Sequence, residues 1–326
     1  MNAVTRLWSR SPDPSAPPRR ALGRGASPFY WSVRRELWEH RSIYLAPLIA
    51  AGVVLSAIGL GWLRSPLALI FSEGLRAPEA SPAEGVFIPL AAACYIVNLT
   101  VASVGFFIGA LYCLDALYGE RRNRGILFWK SLPVSDRTAV LAKACAALVV
   151  LPCILFATML AADTALLLVA RAILTVNGES ASDLWIEAGS PTVWLDRLYI
   201  AIAATLWYAP VYSWLLLVSA FAPGKPLLWA LAPPALLAIV DRAVSSQWLI
   251  FSALRRRIAG GPLWTDHAFK LPDDGKLRHG RALLNPDFGP LDPMTLFGDF
   301  ELWAGLAVAV LFLLAAIWLR RRAEPI

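Results

Sequence analysis

The side chains best suited to metal or nucleophilic chemistry are three histidines, His40, His267 and His279, and four cysteines, Cys94, Cys113, Cys145 and Cys153. Their spacing supports neither chemistry. The histidines stand far apart and no HExxH pair exists. Each cysteine falls inside an apolar run with no CxxC neighbour. That predicts small packing residues, not a zinc site or a disulfide framework. No GxxxxGK[ST] loop is present to cradle the phosphates of a nucleotide, and Gly224-Lys225-Pro226 breaks that pattern at the proline. No GxSxG elbow offers a serine nucleophile.

The charges that remain are those buried in apolar sequence. The chain is 58% hydrophobic and 16% charged over 326 residues. Soluble domains are nearer 45–50% apolar and about 25% charged, so an integral membrane protein is predicted. Ionisable groups inside a bilayer are costly and for that reason informative. Asp115 and Lys143 fall near the inner boundary, on consecutive spans, where they could pair or where the lysine could snorkel to the surface. Asp163 falls near the outer boundary. None lies at the midplane, where an ion-coupled carrier places its carboxylates. The net charge of +7 sits in flanks and short loops, which is orientation chemistry and not a nucleic-acid surface.

Apolar runs long enough to cross a bilayer position these charges. Six spans are predicted, over 43–63, 86–117, 140–173, 198–221, 227–250 and 302–319. The fold class expected is all-α and polytopic. The third span is too long for a straight crossing and is expected to tilt, to kink near Pro152 or to project outward. The fifth is expected to break at Pro233-Pro234. Residues 1–28, rich in Arg, Pro, Ser and Gly, form a disordered cytoplasmic tail. Residues 29–326 form one transmembrane domain. Over 29–41 an interfacial helix is predicted, with Tyr30, Val33, Leu37 and Tyr44 on one face. Residues 241–299 are expected to be a large extracytoplasmic segment, its eight lysines and arginines nearly balanced by seven aspartates. Arg320-Arg321-Arg322 anchor the last span inside. Both termini are therefore expected in the cytoplasm of a multi-pass cell-membrane protein.

One short segment, Gly119–Lys143, stands apart. It carries Arg121, Arg122, Arg124, Lys130 and Arg137 against Glu120 and Asp136, so it belongs on the cytoplasmic side. It also carries Ile126, Leu127, Phe128 and Trp129, which a loop bathed only in water does not need. An apolar turn in a basic frame predicts a docking element. Ile126 and Trp129 share a helical face and form a small knob, and buried aromatics often anchor interfaces. Leu132-Pro133 forces an extended stop. Ser135 or Asp136 then caps the third span.

Glu120-Arg121-Arg122-Asn123-Arg124-Gly125-Ile126-Leu127, then Lys130-Ser131-Leu132-Pro133-Val134-Ser135, then Lys143 resembles the segment between the second and third spans of ABC-2 type permeases, the membrane subunits of type V ABC exporters. The six spans and the N-terminal helix fit the same family. The resemblance implies a coupling helix between spans 2 and 3, formed by Glu120, Arg121, Arg122, Arg124, Ile126, Leu127, Trp129, Lys130, Leu132 and Pro133, seated on a separate ATPase subunit. In that arrangement Arg121, Arg122 and Arg124 contact acidic ATPase residues or lipid phosphates. It further implies no cofactor on this chain, ATP and Mg²⁺ on the partner, and a homodimer or a heterodimer with a related permease in the lipid bilayer. The chain itself would not be an enzyme. Two other classes stay open: a membrane-embedded enzyme using the aspartates of 241–299, and a non-transporting assembly or sensor protein.

Overall fold

The computed structural model describes residues 28–64, 82–123, 135–176, 191–245, 248–258 and 297–322. These are about 94% helical, with no strand among them. Helix α1 is Pro28–Glu39, α2 Ser42–Arg64, α3 Pro82–Ala116 and α4 Tyr118–Arg122. Asp136–Cys145 (α5) continues through a π-turn, Ala146–Val150, into α6, Leu151–Val176. Then come α7 Pro191–Phe221, α8 Pro226–Ser245, α9 Leu249–Ile258 and α10 Phe300–Arg322. Among the described residues six stretches are long and apolar enough to span a membrane, as the hydropathy predicts. Helices suit that setting because every backbone group is satisfied within the segment.

The prolines act differently from expectation. Helix α8 runs through Pro233 and Pro234 without a break. Pro234 cannot donate to the carbonyl of Ala230. That oxygen instead accepts the indole N–H of Trp214 at 3.0 Å, so a neighbouring helix repairs the defect. Pro152 has a visible effect. It cannot donate to the carbonyl of Leu148, and the ladder widens there into the π-turn over Ala146–Val150. The fifth span ends at Ser245, short of 250. The Asp241 carboxylate accepts from the Ile250 amide at 2.9 Å and so fixes the start of a separate helix, α9.

The core is built on small residues. Gly105 and Gly109 are spaced as GxxxG on α3. A methyl added at Gly109 would lie 2.8 Å from Leu151 and 3.0 Å from Tyr212, and one at Gly105 would collide with Leu155. Close backbone approach of this kind is how helices associate in lipid. One apolar cluster joins α2, α3 and α6 through Ala51, Leu90, Val97, Val101, Leu166 and Ala170. Helices α7 and α10 run side by side, Leu217 and Ala220 on Ala316 and Ile317, and Trp207 on Leu302.

Helix α1 is separate from α2, broken at His40–Arg41. Its predicted face shifts. Val33 and Leu37 are half-buried, but Tyr30 is exposed and Tyr44 lies beyond the break. Glu36 is the residue buried against the bundle.

Candidate functional site

Four segments far apart in sequence meet at one end of the bundle. Helix α1 brings Arg35 and Glu36, α4 brings Glu120, α5 brings Asp136 and Lys143, and α10 brings Arg320. The Lys143 ammonium, 1% exposed, donates to both Glu36 oxygens at 2.9 and 3.0 Å. It also lies 3.1 Å from Glu120 Oε1. Arg320 holds the other Glu120 oxygen at 2.5 Å and reaches Asp136 at 3.3 Å. Arg35 lies 3.6 Å from Glu120 and binds Glu39 at 2.6 Å. The Tyr112 hydroxyl of α3 donates to Glu36 Oε2 at 3.0 Å. Burial alone would pull the Arg35 guanidinium down. Its bond to Glu39, with the carboxylates of Glu39, Glu36 and Glu120 around it, outweighs that and holds it above its ordinary value.

Buried charges are tolerated only when paired and hydrogen-bonded. Here Glu36, Glu120 and Asp136 face Lys143, Arg320 and Arg35. Both oxygens of Glu36 and of Glu120 are engaged by cations, while Asp136 meets Arg320 through one oxygen and stays partly exposed. Glu36, Glu39 and His40 bring potential metal-ligand atoms within 4.8 Å of one another, yet Glu36 is already held by Lys143 and Tyr112. The arrangement ties the N-terminal helix, α4, α5 and α10 together.

A second tie sits beside it. The chain breaks at Leu117 between α3 and α4, and the Ser219 hydroxyl on α7 accepts from the freed amides of Leu117 and Tyr118 at 2.9 and 2.8 Å. The buried Arg121 guanidinium donates to the carbonyls of Ala220 and Ala222 at the C-terminus of α7. A cation there also meets the negative end of the helix dipole. Ser135 is the residue that caps α5, accepting from the Thr138 amide at 3.1 Å, and Asp136 turns to Arg320 instead. Exposed tryptophans and arginines mark the same end. Arg34 lies over Trp31 and Trp38, and Arg322 lies 4.0 Å from the centre of the Trp318 ring.

Several expectations change. Asp115 does not pair with Lys143; it lies on the exposed side of α3, and the ion-pair partners of Lys143 among the described residues are Glu36 and Glu120. Arg121 points into the bundle, not outward, while Arg122 is exposed and lies over the Tyr118 ring. Arg124, Ile126, Leu127, Trp129, Lys130, Leu132 and Pro133 lie outside the described residues. So do the tail before Pro28 and most of 241–299.

At the opposite end, Asp163 on α6 is buried. It is held by Arg197 of α7 at 3.1 Å and by the Asn98 amide of α3 at 3.1 and 3.3 Å. Twenty residues separate Lys143 from Asp163, about 30 Å of helix and close to the thickness of a hydrocarbon core. The two charged clusters therefore bracket the apolar length of the bundle.

Glu36, Tyr112, Ser219, Arg320, Asn98 and Arg197 were not singled out from sequence as partners in these clusters. Some signals were there: Glu36 and Glu39 are the acids of a basic aromatic helix, and Asn98 is an amide inside an apolar run. Comparison with family models, with curated proteins and with solved structures found no match.

Proposed function

We propose that this chain is the membrane-spanning subunit of an ABC-2 type exporter. Its spans are moved by ATP binding and hydrolysis in a separate ATPase subunit seated on the segment that begins at Glu120. The observation that carries this reading is the ion network. The first turn of that segment is not a loose loop: Glu120 is held by Lys143 and Arg320. Force applied to the segment would therefore reach the N-terminal helix and the third and sixth spans through charged contacts, and the fourth span through Ser219 and Arg121. The absence of a phosphate-cradling motif from the sequence agrees with a motor on another chain. A ligand shifts a two-state protein only by its differential affinity for the states. In this scheme nucleotide on the partner supplies that difference.

The test is capture of the tagged chain from its own membrane. The wild type is expected to bring down ATP-hydrolysing activity. Trp129→Ala with Ile126→Ala is expected to insert normally and lose most of it, since truncating such anchors typically costs about 2 kcal/mol or more each. Unchanged ATPase yield from the double variant would remove the basis of the reading.

A further inference from the structure

Helix α9 leaves much of its apolar face uncovered. Ile250, Leu254 and Ile258 follow one another at i, i+4 and i+8, with Phe251 beside them. On this face Ile250, Phe251 and Ile258 are exposed, Phe251 by 48%. One of the arginines turns inward. The Arg257 guanidinium stacks 4.2 Å from the centre of the buried Trp207 ring and donates to the Glu301 carbonyl at 2.8 Å. Arg256 binds the Glu301 carboxylate at 2.6 Å. The end of the helix is pinned as well: Trp207 Nε1 donates to the Arg257 carbonyl at 3.1 Å and the Tyr208 hydroxyl to the Ile258 carbonyl at 3.2 Å.

Depth says what covers the apolar face. Glu301 and Arg320 are nineteen residues apart on α10, about 28 Å. Since Arg320 belongs to the Lys143 network, Glu301 and the C-terminal half of α9 stand at the other edge of the hydrocarbon layer. Helix α8, next in contact with α9, exposes Leu236, Leu237 and Val240 as well. Arg255 flanks the apolar face. It is exposed and has no ion-pair partner among the described residues. Arginine at such a position buries its stem in acyl chains and places its head at the phosphates.

We propose that α9 lies in the lipid leaflet at the Asp163 end and binds an anionic phospholipid there, with the headgroup phosphate held by Arg255. The inference is independent of the exporter reading. It needs only a membrane, and it holds whatever the chain moves.

The test uses the full-length chain in bilayer discs, with two readouts. A nitroxide at Phe251→Cys, in a Cys153→Ala background, is expected to collide with oxygen more than with a water-soluble nickel chelate, as does one at Leu237→Cys. Native mass spectrometry is expected to show phosphatidylglycerol retained over phosphatidylcholine. Arg255→Gln is expected to lower that retention about fivefold, from the worth of one arginine near an anionic surface, and Arg255→Lys to keep most of it. Nickel-dominated collisions would place the face in water or on a soluble partner and overturn the proposal. Equal retention of the two lipids, or no effect of Arg255→Gln, would overturn it equally.

Discussion

The two charged ends of the bundle solve the same problem with different means. At the Asp163 end one carboxylate meets one guanidinium and one amide, and Arg197 keeps 23% of its side chain exposed. At the Lys143 end three carboxylates and three cations close on one another, and the central ammonium has almost no contact with solvent. The simpler cluster joins three spanning helices. The denser one joins the N-terminal helix, the turn after the second span, and the third and sixth spans. Removing charge from water costs several kcal/mol per ion, recovered only by good geometry. A bundle needing cohesion alone would do as well with leucines. Here the ions are concentrated where short connecting elements meet spans, and each such element is fixed to more than one helix.

Breaking the denser end should have the largest effect. Lys143→Met leaves Glu36 and Glu120 facing each other without their shared cation. A loss of about 3–5 kcal/mol is expected, read as a fall in the thermal unfolding midpoint in fixed detergent and lipid. Adding Glu36→Gln should recover part of it, because the two sites are coupled. Asp163→Asn should cost less, about 1–3 kcal/mol, since Arg197 can turn toward water and Asn98 keeps an acceptor. If Asp163→Asn proves as severe as Lys143→Met, the contrast between the ends disappears. Arg35→Gln should be mildest, about 0–1 kcal/mol, because Arg35 sits at the rim and its main partner Glu39 is exposed.

The spans were legible in the sequence because hydropathy and length decide them. The cap at Ser135 was legible because its chemistry is local. Pairing was not. Proximity to a boundary suggested Asp115 for Lys143, but helix phase overrules it. Tyr112, Cys113 and Ala116 face the core, and Asp115 falls between them on the exposed side. The true partner, Glu36, is 107 residues away, a separation no local pattern reveals. Pro233-Pro234 misled for a related reason, since the repairing donor, Trp214, belongs to another helix. For the Glu120–Lys143 segment, motif reasoning named residues without telling inward from outward. Arg121 and Arg122 are neighbours of like charge, yet one is buried against α7 and the other exposed.

The most direct check on the central claim is the side of the membrane that residue 129 faces. With Trp129→Cys, a membrane-impermeant maleimide should label inside-out vesicles and leave intact cells unlabelled, relative to the unsubstituted chain. Added nucleotide-binding subunit should protect the site. Labelling from outside intact cells would place the segment away from any ATP-driven partner and contradict the account.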